Sequence, residues 1–199
     1  MSGTFPTSPS FEAVNFNVNT PTLTSDTISG KRRRVGMGHS FYTFTVKFPN
    51  VREVDMGSIL GFVAAQYAGL ESFQIALPNI SYSKNSYIKD GTTTGAVTTS
   101  GATARGSNVV AISAVTSGQF LNAGDFFKFA NHGKVYMCTE NYTTGTLKFS
   151  GRTVEDVPNG TAIVYNAVPF TVVLENEVQQ YSVGIGGIST MSLDMREVW

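Results

Sequence analysis

Hydrophobic and polar residues alternate with a period of two along much of the chain, the pattern of strands with one buried face. In the segment Phe11 to Val18, the side chains of Val14, Phe16 and Val18 share one face and Asn15 and Asn17 the other, before Asn19-Thr20-Pro21 ends the run. The clearest strand follows Gly36 and Gly38. There Tyr42, Phe44, Val46 and Phe48 face one way, Thr43, Thr45 and Lys47 the other, and Pro49 stops it. Between these two segments lie Leu23 and Ile28, then Gly30 and the basic run Lys31-Arg32-Arg33-Arg34.

From about Arg52 to Ala68 the period changes: Met56, Ile59, Leu60, Val63 and Tyr67 recur at three- and four-residue steps, one face of an amphipathic helix. Gly69 stands where a helix C-cap glycine belongs. Strand patterns return with Phe73, Ile75 and Leu77, ended by Pro78. Short apolar runs then recur at roughly ten-residue spacing: Val109 to Val115, Phe126 to Phe129, Val135 to Cys138 and Thr146 to Phe149, with Gly124-Asp125 and His132-Gly133 as turns. Phe170, Val172 and Leu174 form a further strand, then Tyr181, Val183 and Ile185. Finally Met191, Leu193 and Met195 alternate with Ser192, Asp194 and Arg196.

These elements predict a mainly β chain: a discontinuous β-sandwich or barrel core with one short helix, carrying an inserted small barrel-like β domain. Residues 1–80 and 168–199 form the core and 107–167 the insertion. Residues 81–106, rich in Thr, Ser, Ala and Gly, have too little apolar surface to offset their ordering entropy and are expected to form a flexible linker.

Composition narrows the function. Charged residues are only 14% of the 199, against about 25% in an average domain, and Thr, Ser, Asn and Gly take their place. The formal net charge is zero, so bulk attraction to nucleic acid is not expected, while weak self-repulsion suits packing against copies of itself. The single cysteine, Cys138, permits no internal disulfide and reads as a small buried hydrophobe. No secretory signal pattern opens the chain, and no apolar run is long enough for a membrane span.

Candidate chemistry is sparse. The run Lys31, Arg32, Arg33 and Arg34 suits phosphate contact or an interface with acidic residues of a neighbouring subunit. His39, His132 and Cys138 match no zinc spacing, and His132 beside Gly133 reads as a solvated turn residue. No metal or cofactor is expected. Gly57-Ser58-Ile59-Leu60-Gly61 lies within the helix pattern with its serine misplaced for a nucleophile elbow. Glu175 and Glu177 form the one carboxylate pair that could invite hydrolase chemistry, and acids ending a strand read as ordinary surface, so no enzyme is expected. Tyr82, Tyr87 and Tyr142 are candidate peripheral contacts, able to stack on sugar rings or to serve the core and interfaces.

Several phrases carry a resemblance. Pro9-Ser10-Phe11 to Val18, Thr22 to Ser25, Ser29-Gly30-Lys31, Phe41 to Pro49, Leu70 to Pro78, Asn122 to Phe129, Lys134 to Met137, Pro169 to Val172 and Met195-Arg196-Glu197 resemble tail-tip and baseplate proteins of tailed bacteriophages, the distal-tail type in particular. The resemblance implies a non-enzymatic virion protein, assembled in the host cytoplasm. It also implies a six-fold homo-oligomeric ring joining the tail tube to baseplate or receptor-binding proteins. Genomic DNA would meet it only by passage through a lumen, and no membrane insertion is implied. The alternatives are a carbohydrate or host-surface binding module of the virion, or a collar or adaptor ring nearer the head.

Overall fold

A computed structural model describes residues 3–36, 38–67, 69–89, 96–113, 115–176 and 180–199. The chain is mainly β. Its first elements are β1 (Ala13–Asn19), β2 (Thr22–Asp26), β3 (Arg32–Gly36), β4 (Phe41–Lys47), β5 (Val51–Arg52), α1 (Glu53–Ala65) and β6 (Phe73–Ile75). Next come α2 (Ser86–Lys89), β7 (Val109–Ala111), β8 (Phe126–Phe129), β9 (Val135–Met137), β10 (Thr146–Lys148) and β11 (Ile163–Val164). The chain finishes with β12 (Phe170–Leu174), β13 (Tyr181–Val183) and β14 (Ile188–Glu197).

The principal sheet has the order β1-β4-β14-β12-β6, antiparallel throughout. The long β14 is its axis: β4 and β12 flank its second half, and β5 and β13 pair with its first. The period-two pattern sets the inner face. Phe16 lies opposite Phe44, Phe44 opposite Met195, and Met195 opposite Leu174. Met56, Ile59 and Val63 of α1 are buried in the same core. No closed barrel forms among the described residues, a correction to the barrel alternative: the sheet stays open, and α1 and the insertion cover its inner face.

A second hydrophobic core, from Ile88 to Ile163, holds the insertion together around Phe127, Phe129, Tyr136, Leu147 and Phe149. Its sheets are small, β10-β7 and β11-β8-β9. Two of its residues, Phe126 and Val135, belong to the first core instead. The Phe126 ring meets those of Phe16, Tyr42 and Phe170 at 5.3, 5.5 and 5.7 Å between centroids. The insertion is therefore packed onto the principal sheet by shared aromatic contacts.

Two local expectations are corrected. Residues 81–89 and 96–106 do not form a linker but a packed part of the insertion, while 90–95 lie outside the described residues. Ile88 and Val97 are buried, and Thr98, Thr99 and Thr103 bridge to Ala162, Ile112 and Val157. Polar anchoring replaces the missing apolar surface: Ser83 Oγ and the Lys84 N–H both donate to the Asp125 carboxylate, at 2.7 and 2.8 Å. Helix α1 ends earlier than its pattern, at Ala65, and Tyr67 (φ 48°) takes the left-handed position expected of Gly69.

Gly69 is needed for another reason. Its φ is +87°, and a Cβ there would lie 2.3 Å from the Leu174 carbonyl oxygen of β12. Gly69→Ala is expected to cost at least about 2 kcal/mol, from left-handed strain and displacement of the turn from β12. Urea unfolding checks this, with Gly61→Ala, in open space on α1, as the neutral or stabilising control.

Candidate functional site

The basic run falls on an arm. Strands β2 and β3 pair with each other through five registered positions, Thr22 opposite Gly36 to Asp26 opposite Arg32, and every residue of both strands is exposed. The arm continues the β1–β4 pair outward, since β1 leads into β2 and β3 leads back to β4. Strand alternation divides the run: Arg33 lies on the face bearing Leu23, Ser25 and Val35, and Arg32 and Arg34 on the face bearing Thr22, Thr24 and Asp26. Arg32 Nε contacts Asp26 Oδ1 at 2.9 Å. Both side chains are more than half exposed, so this contact is worth under about 1 kcal/mol. Arg34 and Arg152 line an open cleft of about 680 Å³ with Thr20 and Ser40 where the arm meets the body. Lys31 holds the turn, its N–H donating to Thr27 Oγ1.

The three tyrosines are not equivalent. Tyr142 is corrected from peripheral contact to core: it is buried, its ring meets Phe120 edge-on at 5.4 Å, and its hydroxyl accepts the Gly145 N–H. Tyr87 is half-buried on α2. Tyr82 is exposed beside an apolar pocket of about 220 Å³ lined by Phe5, Phe11 and Pro78.

Among the described residues no group of His, Cys, Asp or Glu converges as metal ligands. Cys138 is buried, and burial pushes its thiol well above the ordinary range, so it stays protonated and unreactive. Glu175 is exposed and Glu177 lies outside the described residues. His132 is not the solvated turn residue expected but half-buried. Its Nε2 lies 2.8 Å from the Tyr136 hydroxyl and its Nδ1 3.0 Å from Asn131 Oδ1. Asn131 donates its Nδ2 to the Asp156 carbonyl, so the Oδ1 that faces His132 can only accept; Nδ1 therefore carries the imidazole proton and the Tyr136 hydroxyl donates to Nε2. Burial lowers the His132 pKa from 6.5.

The strongest electrostatic feature was not singled out from the sequence. Lys134, at the start of β9, and Glu197, at the end of β14, form an ion pair with Nζ 2.5 Å from Oε2, both side chains almost wholly buried. The Val135 N–H donates to Glu197 Oε1 at 2.9 Å and the Tyr42 N–H to Oε2 at 3.3 Å. The ammonium lies 4.5 Å from the Tyr42 ring centroid and 4.8 Å from that of Trp199, which adds cation–π attraction. Burial raises the Glu197 carboxyl above its ordinary value and lowers the Lys134 ammonium below its own, and their mutual attraction opposes both shifts. This group fastens the insertion to the sheet; it offers no accessible chemistry.

No family model and no curated protein matches the chain.

Removing one partner of the buried pair leaves the other charge uncompensated. Lys134→Met is expected to cost about 3–5 kcal/mol, and adding Glu197→Gln should recover part of that loss, because the amide removes the uncompensated charge and keeps an acceptor for one of the two backbone donors. A double-mutant cycle by urea unfolding measures this, and strictly additive costs would count against it. For His132, a lowered folded pKa means its contribution is complete above pH 6.5 and is lost as pH falls through the folded value. The thermal midpoint should therefore fall more steeply below pH 6.5 in the native chain than in His132→Gln, as calorimetry across pH 8 to 5 would record.

Proposed function

We propose that this chain is a structural subunit of a tailed-bacteriophage virion, a component of the tail tip or baseplate that works by assembling with its own copies into a ring. The supporting observation is the arm. A two-stranded hairpin in water is marginal on its own, yet β2 and β3 carry the cross-strand apolar pair Leu23 and Val35 with all ten strand residues exposed. Such a surface suits burial against another molecule. A free edge supports the same reading. Among the described residues β1 pairs only with β4, and its seven residues contain neither a charge nor a proline to discourage pairing with another strand. The resemblance of the chain's phrases to distal-tail proteins supplies the particle and the six-fold expectation. A glycan-binding role is less favoured, because one of its three stacking tyrosines, Tyr142, lies in a core.

Purified full-length protein is expected to form closed rings in negative-stain images, with a light-scattering mass that is a whole multiple of 21.4 kDa. A chain that remains a monomer at high micromolar concentration overturns the proposal.

A further inference from the structure

The arm and a second exposed surface lie at opposite ends of the same strand. Phe41, where the arm returns to the sheet, lies beyond the Thr43–Arg196 pair, next to the C-terminal end of β14. At the other end of β14, Ile188 pairs with Arg52, and the Glu53 N–H donates to the Gly187 carbonyl at 2.9 Å. The first turn of α1 is thereby held against the β13–β14 turn. That junction exposes Val54 (88%), Ile185 (103%) and Ile188 (46%). Exposed Glu53 and Asp55 flank the apolar residues, with Arg52 beside them.

Charge divides the same way. Residues 22–36 contain Asp26 against Lys31, Arg32, Arg33 and Arg34, a net +3. At the junction Arg52 stands against Glu53 and Asp55, a net −1. The ten residues of β14 span about 30 Å, so the arm, rooted at one end and leading away from it, does not reach the junction of its own molecule. The Leu23–Val35 face of the arm, which also carries Arg33, matches the junction in character, apolar residues accompanied by the opposite charge.

We infer that the β2–β3 arm docks on a second copy of this chain at the junction of the α1 first turn with the β13–β14 turn. Leu23 and Val35 cover Val54, Ile185 and Ile188, and Arg33 faces Glu53 and Asp55. The contact joins two different surfaces and is therefore head-to-tail, closing into a ring or extending into a filament according to its rotation. This deepens the ring proposal and rests on it only for closure.

Two full-length variants test the contact: Leu23→Asp with Val35→Asp on the arm, and Val54→Asp with Ile185→Asp at the junction. All four positions are exposed, so the melting midpoint should hold, and it is measured first by circular dichroism. Sedimentation velocity is expected to show an assembled native chain and each variant alone as a monomer. An equimolar mixture should give a dimer of twice 21.4 kDa and nothing larger, since it offers one intact arm and one intact junction. If the native chain assembles and the variants assemble equally well, the arm contact is overturned and the ring proposal stands. Open filaments that the variants abolish support the contact and overturn the ring. A monomeric native chain overturns both.

Discussion

The Glu197 carboxylate is the point on which the two halves of the molecule depend. It terminates β14, accepts the Lys134 ammonium and the Val135 N–H from the insertion, and accepts the Tyr42 N–H from β4. One buried group therefore ties the central strand, its neighbour and the inserted unit together. A buried ion pair adds little net stability over a well-packed apolar substitute, because desolvation offsets most of the attraction. Its larger effect is on geometry: a carboxylate with three donors tolerates few alternative positions, whereas the aromatic contacts of Phe126 nearby could slide. Apolar burial draws the insertion onto the sheet, and the ion pair fixes where it sits.

The same group steadies the base of the arm. Tyr42 is the second residue of β4, two residues after Ser40, and Ser40 lies against the insertion: a Cβ on Gly151 would come within 2.8 Å of its hydroxyl oxygen. Among the described residues no layer covers the arm, so its direction is set at its root by β4, the Glu197 carboxylate and the loop around Gly151. An exposed ribbon can present a defined surface only when its base is held in this way.

Much of the strand content was legible because burial on one face enforces a period of two. The Met191, Leu193, Met195 alternation carries one step further to Glu197, so the pattern itself placed that residue inward. Its charge argued for the surface, and the residue that overrides this, Lys134, is 63 positions away in sequence. The arm was illegible for the opposite reason: with neither face buried, Thr22 to Asp26 and Arg32 to Gly36 show no apolar alternation. The expected linker misled because Ser83, Lys84 and Asn85 are held by hydrogen bonds, to Asp125 and to the Phe120 carbonyl, and hydropathy does not register such bonds. Tyr142 could be placed only by its neighbour Phe120 in the folded core.

Whether a head-to-tail contact closes depends on the rotation between the donor and acceptor surfaces of one subunit. Here those surfaces sit at the two ends of β14, so the rotation is set by the twist of that strand and of its neighbours, roughly 20–25° from one strand to the next in ordinary sheets. A small error in this angle, repeated around a ring, is the difference between closure and an open helix. A central strand held at one end by a triply bonded carboxylate, and at the other by β5, β13 and the start of α1, keeps the angle reproducible from copy to copy. The buried pair and the arm are thus parts of one design: the first holds the frame across which the second must be aimed.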